Sequence, residues 1–211
     1  MNFLIVDDHP LIIEGYVHIL ESAYPYFSYH KAHTVDQAYA IMKRENHIDC
    51  FILDFDLPPC EVRSIWDGAD LAKEIRRYFP RAKVVMVTAH DEILTVYNIH
   101  KKVFPDAYMI KKDVTAAVLV KAVECIQNED RFYSDTVKKC MTQIAQKELM
   151  WEEHNIQILM LLAKGYKIKD IGDLLSLSGS TVQKRISLMK EAFDVLDNGG
   201  LVREAVKQNF I

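Results

Sequence analysis

Five side chains of the kind that handles metal ions or phosphate recur at matching places in this chain. They are the carboxylates of Asp7, Asp8 and Asp54, the hydroxyl of Thr88 and the ammonium of Lys111. Each stands at the end of a short apolar run: residues 3–6, 50–53, 83–87 and 107–110. Three carboxylates suit a hard dication, and Mg2+ in particular pairs a few carboxylates with water and phosphate oxygens. A lysine and a hydroxyl beside them suit a phosphoryl group, whose transfer depends chiefly on positioning and charge neutralisation. One carboxylate would then be the nucleophile and become an acyl phosphate. Singly, each residue has a plainer reading, since aspartate often caps a helix that follows a strand. Jointly, at matching strand ends, the five point to one site.

That placement follows from the elements the sequence predicts. Pro10 suits the first position of a helix, and Leu11, Ile12, Gly15, Ile19 and Leu20 then recur at helical spacing. A second strand is predicted over 26–32. Thr34 is a good N-cap for a helix to about residue 45, with Ala38, Ile41 and Met42 inward. Further helices are predicted over 67–78, 91–100 and 114–127. Five strands alternating with five helices predict a doubly wound α/β fold, a parallel five-stranded sheet covered on both faces. Ligands of such sheets bind beyond the carboxyl ends of the strands. The five residues would therefore converge although they are distant in sequence.

After residue 127 the alternation stops. Residues 128–148 read as a linker, a short turn followed by a helix capped by Ser134. Residues 149–211 read as a smaller all-α domain, with helices over 152–164, 170–175, 181–193 and 201–210 and a tight turn at 175–180. Gly165 stops the first of these. The chain has 211 residues, and the four cysteines form no CxxC pair. With no basic, apolar leader and no run near the roughly 20 residues of a membrane span, a cytoplasmic protein with reduced thiols is expected. Residues 1–124 carry 14 Lys and Arg against 18 Asp and Glu, whereas residues 149–211 carry 8 of each.

The set FLIVDDHP, FILDFDLP, VVMVTAH and AYMIKK resembles the receiver domain of bacterial two-component response regulators over residues 1–127. The resemblance implies a flavodoxin-like receiver in which Asp54 is the phosphoacceptor for a sensor histidine kinase. Asp7, Asp8 and Asp54 would hold Mg2+, helped by the backbone carbonyl of Asp56. Thr88 and Lys111 would hold the phosphoryl oxygens, and Tyr108 would be the aromatic switch that turns inward as the threonine is drawn to the phosphate. Lys112 adjoins Lys111, but the offset from Tyr108 favours Lys111. Asp56 and His90 match positions that tune phosphate lifetime. Such a protein is not an enzyme beyond assisting its own phosphorylation and dephosphorylation. Two features depart from the pattern: the segment from Asp54 to Gly68 is extended, and the proline usual after the lysine is absent. A rival reading takes Asp54-Phe55-Asp56 as the DxD of a haloacid-dehalogenase phosphatase. The acid pair upstream, on the first strand, counts against it.

Residues 149–211 resemble the LuxR/NarL-type helix-turn-helix domain at Ile158, Leu159, Leu162, Ala163 and Gly165. The match continues through Lys169, Ile171, Leu175, Ser178, Thr181 and Val182 to Leu201 and Val202. That resemblance implies double-stranded DNA as partner, with Gln183, Lys184 and Ser187 facing bases and Lys169, Thr181, Arg185 and Lys190 facing phosphates. A stripe of Leu201, Val202, Ala205, Val206 and Phe210 would pair two copies into a homodimer on phosphorylation. His154, Asn155, Gln183 and Ala192 depart from the pattern, and the segment lacks the usual basic excess. A degenerate helix-turn-helix that acts through protein contacts is therefore the alternative.

Overall fold

Apolar runs followed by polar strand ends become, in the computed structural model, a parallel sheet in the order β2-β1-β3-β4-β5-β6. The structure describes residues 1–207 and 210–211, leaving aside the side chains of Leu94, Gln146, Lys147, Glu148, Met150 and Trp151. The chain divides into two compact units, Met1–Met141 and Thr142–Ile211.

In the first unit the strands are β1 (Asn2–Val6), β2 (Ser28–Ala32), β3 (Cys50–Asp54), β4 (Lys83–Thr88), β5 (Ala107–Ile110) and β6 (Phe132–Tyr133). The helices α1 (Pro10–Ala23), α2 (Val35–Arg44), α3 (Gly68–Tyr78), α4 (Ile93–Val103) and α5 (Ala116–Gln127) connect them. Side chains alternate across the sheet, as strand geometry requires. Leu4, Val6, Phe51 and Leu53 face α2, α3 and α4, and Phe3, Ile5, Cys50 and Ile52 face α1 and α5. Both faces are thus covered, which is why the central strands are continuously apolar. Thr34, Asp67 and Thr115 cap α2, α3 and α5 by accepting from the amides of Gln37, Asp70 and Val118. Pro10 opens α1 at its first turn.

Register carries the functional consequence. Val6 lies opposite Leu53, Asp54 opposite Val87 and Thr88 opposite Ile110. Asp7, Asp54, Thr88 and Lys111 therefore emerge at one end of the sheet.

The expected five strands are six. Strand β6 falls inside the segment read as a linker, and it pairs parallel with β5, Ala107 opposite Phe132 and Tyr108 opposite Tyr133. Two residues show no alternation to read. Only the backbone bonds to the β5 edge make them a strand. Helix α6 (Asp135–Trp151) follows, and its residues through Met141 belong to the first unit.

The second unit holds α7 (Glu153–Ala163), α8 (Ile168–Leu175), α9 (Gly179–Ala192) and α10 (Asn198–Lys207) around Ile158, Leu159, Ile171, Val182, Ile186, Met189 and Leu201. Gly165 ends the turn after α7 at φ 82°, as expected of a glycine stop. Helix α9 starts two residues earlier than the sequence suggests, because Ser178 caps it through the Thr181 amide at 3.1 Å. The expected helix over 201–210 ends at Lys207, and residues 208–209 lie outside the described residues.

One close approach ties the extended loop to the sheet. The Gly68 amide donates to the Phe55 carbonyl at 2.8 Å, and a Cβ on Gly68 would stand 1.9 Å from the Asp54 carbonyl oxygen. An alanine in a helix ordinarily gains up to about 1 kcal/mol over glycine. Here Gly68→Ala should instead cost about 1–3 kcal/mol through overpacking. Urea unfolding combined with hydrogen exchange at the β3 amides measures this, and an unchanged or raised stability would refute the contact.

Candidate functional site

The carboxylates of Asp7 and Asp54 are each only 2% exposed, at adjacent strand ends. Between them lies the ammonium of Lys111, with Nζ 3.1 Å from Asp7 Oδ2 and 2.9 Å from Asp54 Oδ2. The approach to Asp54 is ionic and lacks good hydrogen-bond direction, so both Asp54 oxygens are buried without a hydrogen-bond partner among the described residues. Burial raises the Asp54 pKa, Lys111 partly opposes that, and the net shift is upward. For Lys111 burial pulls downward, but Asp54 and Asp7 outweigh it and the ammonium is held more firmly protonated.

Around this pair, ligand atoms of Asp7, Asp8, His9 and Asp54 lie within 4.8 Å of one another. Three carboxylates facing one ammonium leave the pocket short of positive charge, and the oxygen donors are those a hard dication takes. His9 was not among the expected site residues. Its Nδ1 lies 2.8 Å from Asp8 Oδ1 and 3.1 Å from Asp7 Oδ1, and its amide donates to Asp7 Oδ1 at 2.9 Å. The signal was its position between the acid pair and Pro10, where the N-cap of α1 must lie.

Asp56 sits differently. Its carboxylate meets His90 Nε2 at 2.8 Å and stays out of the acidic cluster, leaving the backbone carbonyl for the expected ligand role. The Asp56 hydrogen bond raises the His90 pKa, against a smaller opposing effect of burial. The backbone amide of His90 donates to the buried Thr88 hydroxyl at 3.1 Å. Lys112 pairs with Asp91, away from the carboxylates, which separates it from Lys111.

Tyr108 is fully buried, in the same cluster as Val96, Ile99, Ile110, Val137 and Cys140, and its hydroxyl has no hydrogen-bond partner among the described residues. The expectation of an aromatic side chain that travels inward thus meets a side chain already inward. The extended loop folds back on α2. Leu57 and Ile65 are buried, Cys60 and Ile65 form a bridge, and Arg63 stacks 4.1 Å over the Tyr39 ring while bonding Asp36 at 2.8 Å.

In the second unit Gln183, Lys184 and Ser187 are exposed on α9, Lys169 is exposed on α8 and Lys190 is half-buried. The Thr181 hydroxyl lies 2.7 Å from Ser178 Oγ, within the cap of α9. Arg185 turns inward. Its guanidinium bonds Glu152 and, at 3.1 Å, the Oδ1 of buried Asn155, whose amide holds the Leu149 carbonyl at 2.8 Å. Asn155 and Arg185 are therefore partners, a pairing invisible in either residue alone.

A parallel sheet bearing a lysine-bridged acid cluster, followed by a helix-turn-helix unit, defines a class of signalling protein, and the comparisons agree. Residues 3–124 match the response regulator receiver domain. The chain is 28% identical to "Probable transcriptional regulatory protein NarL" of Mycobacterium tuberculosis, with all of this chain and 96% of that protein covered. Response regulator protein VraR of Staphylococcus saprophyticus is 26% identical, covering 69% of this chain and 70% of its own. RcsB from Salmonella enterica serovar Typhimurium, bound to promoter rprA with the phosphomimetic BeF3-, superposes with a TM-score of 0.60 at 19% identity over 96% of both chains. The chain belongs to the response regulator receiver-domain family. The second unit carries the four helices α7–α10, with a short turn at 176–178 between α8 and α9. Among the described residues no helix is long and apolar enough to cross a membrane.

The geometry separates the two adjacent lysines by experiment. Lys111→Met strands two buried carboxylates and should cost about 3–5 kcal/mol, much of it recovered by millimolar divalent cation. Lys112→Met breaks an exposed pair and should cost about 0–1 kcal/mol. Thermal melts with and without the cation decide; equal losses in both variants would contradict the assignment.

Proposed function

We propose that this protein is a phosphorylation-switched transcriptional regulator of a bacterial two-component system, working in the cytoplasm. The observation that carries the proposal is the Lys111 ammonium lodged between the buried carboxylates of Asp7 and Asp54. Asp54 attacks the phosphorus of a kinase phosphohistidine. A new O–P bond forms at Asp54 Oδ, the P–N bond breaks, and the imidazole leaves with the electron pair. Asp7, Asp8, Asp54 and the Asp56 carbonyl would hold Mg2+, which when bound neutralises phosphoryl oxygens. Lys111 moves its ammonium from carboxylate to phosphoryl oxygen, and the Thr88 hydroxyl donates to a second. Asn in place of Asp54 keeps the shape but has no nucleophilic oxygen. Incubation with acetyl phosphate and Mg2+ should add one phosphoryl group to the parent and none to Asp54→Asn. Phosphorylation of the variant at parental level, mapped by mass spectrometry, would reject Asp54 as acceptor.

The output follows from α8 and α9. Gln183, Lys184 and Ser187 present a polar face of the kind that reads major-groove edges, while Lys169, Lys190 and Thr181 suit phosphates. Arg185 drops out of the phosphate set, because Glu152 and Asn155 hold it. A homodimer formed on phosphorylation would double these few contacts; of the expected α10 stripe, Leu201, Ala205 and Phe210 are buried in the unit's own core, which leaves Val202 and Val206 for a seam. In a related solved structure, two RcsB dimers are bound to two parallel DNAs. The neutral charge of this segment and the held Arg185 favour one second reading, in which α9 binds a protein. Anisotropy titrations distinguish them. Lys184→Ala should lose about 1–3 kcal/mol of discrimination between sequences, whereas Lys190→Ala should weaken all sequences alike. If phosphorylated protein enriches no genomic sequence and binds at random-DNA affinity, the protein-contact reading holds instead.

A further inference from the structure

A sheet that ended at β5 would leave a row of unpaired backbone groups. Instead the chain returns after α5 and lays β6 along that edge. Phe132 N donates to the Asp106 carbonyl at 3.0 Å and Ser134 N to the Tyr108 carbonyl at 2.9 Å. Two residues of strand are too few to hold themselves in place. The fastening comes from Asp113. Its Oδ2 accepts from the Ser134 hydroxyl at 2.6 Å and the Thr136 amide at 3.1 Å, and its Oδ1 accepts from the Thr136 hydroxyl at 2.9 Å. The Ser134 oxygen in turn accepts from the Ile110 amide at 3.3 Å. Burial raises the Asp113 pKa, but the bonds from Ser134 and Thr136 outweigh it and the carboxyl is held below its ordinary range.

Asp113 shares a single 3-10 turn, Lys111–Asp113, with the lysine that touches Asp54. The same returning segment also grips both ends of α4. Cys140 Sγ reaches the Asp91 carbonyl at 3.6 Å, and the Tyr133 hydroxyl meets His100 Nε2 at 2.8 Å. Val137 and Cys140 are buried in one cluster with Tyr108. Residues 131–141 thus touch the β5 edge, the Lys111–Asp113 turn, both flanks of α4 and the cluster around Tyr108.

We infer that residues 131–141 form a clasp on the β5 edge, pinned by Asp113, that carries the state of the Asp54 site into helix α6. The inference rests on the phosphoacceptor reading above. When Lys111 leaves the carboxylates for a phosphoryl oxygen, its turn shifts, and Asp113 shifts with it. The bonds to Ser134 and Thr136 are then lost, β6 lifts, and α6 loses its cap. With Tyr108 already packed against this segment, the read-out is the opening of the clasp and not the inward travel of the tyrosine.

Hydrogen exchange on the full chain tests this. Amides of Phe132, Ser134 and Thr136 should exchange at least tenfold faster when the parent is treated with acetyl phosphate and Mg2+. Asp113→Ala should show that fast exchange untreated, with parental protection at the β1 and β3 amides and parental phosphorylation. Thr136→Val, which removes only the hydroxyl bond, should fall between, and it decides the matter if Asp113→Ala fails to fold. Intact mass on the same samples reports phosphorylation. A phosphorylated parent with unchanged protection overturns the clasp while the phosphoacceptor reading stands. A parent that takes no phosphoryl group overturns that reading, and the clasp falls with it. Parental exchange in both variants overturns Asp113 as the pin.

Discussion

One ammonium against buried carboxylates is the constraint from which the rest of the first unit follows. Asp7 and Asp54 are both withdrawn from water, and removing charges from water is expensive unless an opposite charge arrives with good geometry. Lys111 supplies that charge from a third strand end, so β1, β3 and β5 must hold their register to within a fraction of a residue pair. The continuous apolar runs of β3, β4 and β5, buried on both faces, provide the rigidity. The arrangement remains under-neutralised, since Asp8 adds a further carboxylate. A pocket left short of positive charge in this way, with carboxylate oxygens as its donors, suits a hard dication.

Gly68 and the extended loop serve the same constraint from the other side. Helix α3 begins against the carbonyl of Asp54, closer than any side chain permits. Its cap, Asp67, is bonded by Lys102 of α4 at 3.1 and 2.9 Å. The backbone that carries Asp54 is therefore connected through Asp67 to the far end of α4. The loop that intervenes is anchored by buried Leu57 and Ile65 and by Arg63 on Tyr39. Its added length is absorbed against α2, so the Asp54 end of β3 is not pulled out of register.

The legible part of this chain was the part with periodic or punctuated chemistry. Alternating apolar runs ending in Asp54, Thr88 and Lys111 carried both the sheet and the site, because burial on two faces leaves a pattern several residues long. Thr34 was legible as a cap for the same reason: one side chain answers one amide. Features made by meetings across the chain left no such trace. Strand β6 is two residues whose identity depends on a neighbouring edge. His90 on Asp56, Asp113 on Thr136 and Arg185 on Asn155 are pairs 34, 23 and 30 residues apart. Asn155 read alone was a departure from a family pattern, and its physical role emerged only with its partner. Tyr108 was placed correctly on β5, but the segment that buries it lies beyond the end of the predicted sheet.

A switch also requires that its two states lie close in free energy, within what a ligand can tip. Several features of the first unit keep that gap small. The Tyr108 hydroxyl is buried with no hydrogen-bond partner among the described residues, which costs about 1–3 kcal/mol relative to a bonded group. Strand β6 pairs with β5 over only two residues, and a backbone bond is worth about 1 kcal/mol net. Against these stand Val137 and Cys140, whose burial holds α6 down, and the four bonds that Asp113 and Ser134 share. A hydrogen-bond partner for the Tyr108 hydroxyl or a longer β6 would make the closed arrangement more stable, and for that reason harder to open. The site end is held differently, by the ion pairs of Lys111 with Asp7 and Asp54. The first unit thus joins a buried, under-neutralised pocket to a short edge strand, and the 3-10 turn from Lys111 to Asp113 reaches both, since Lys111 touches Asp54 and Asp113 bonds Ser134 and Thr136.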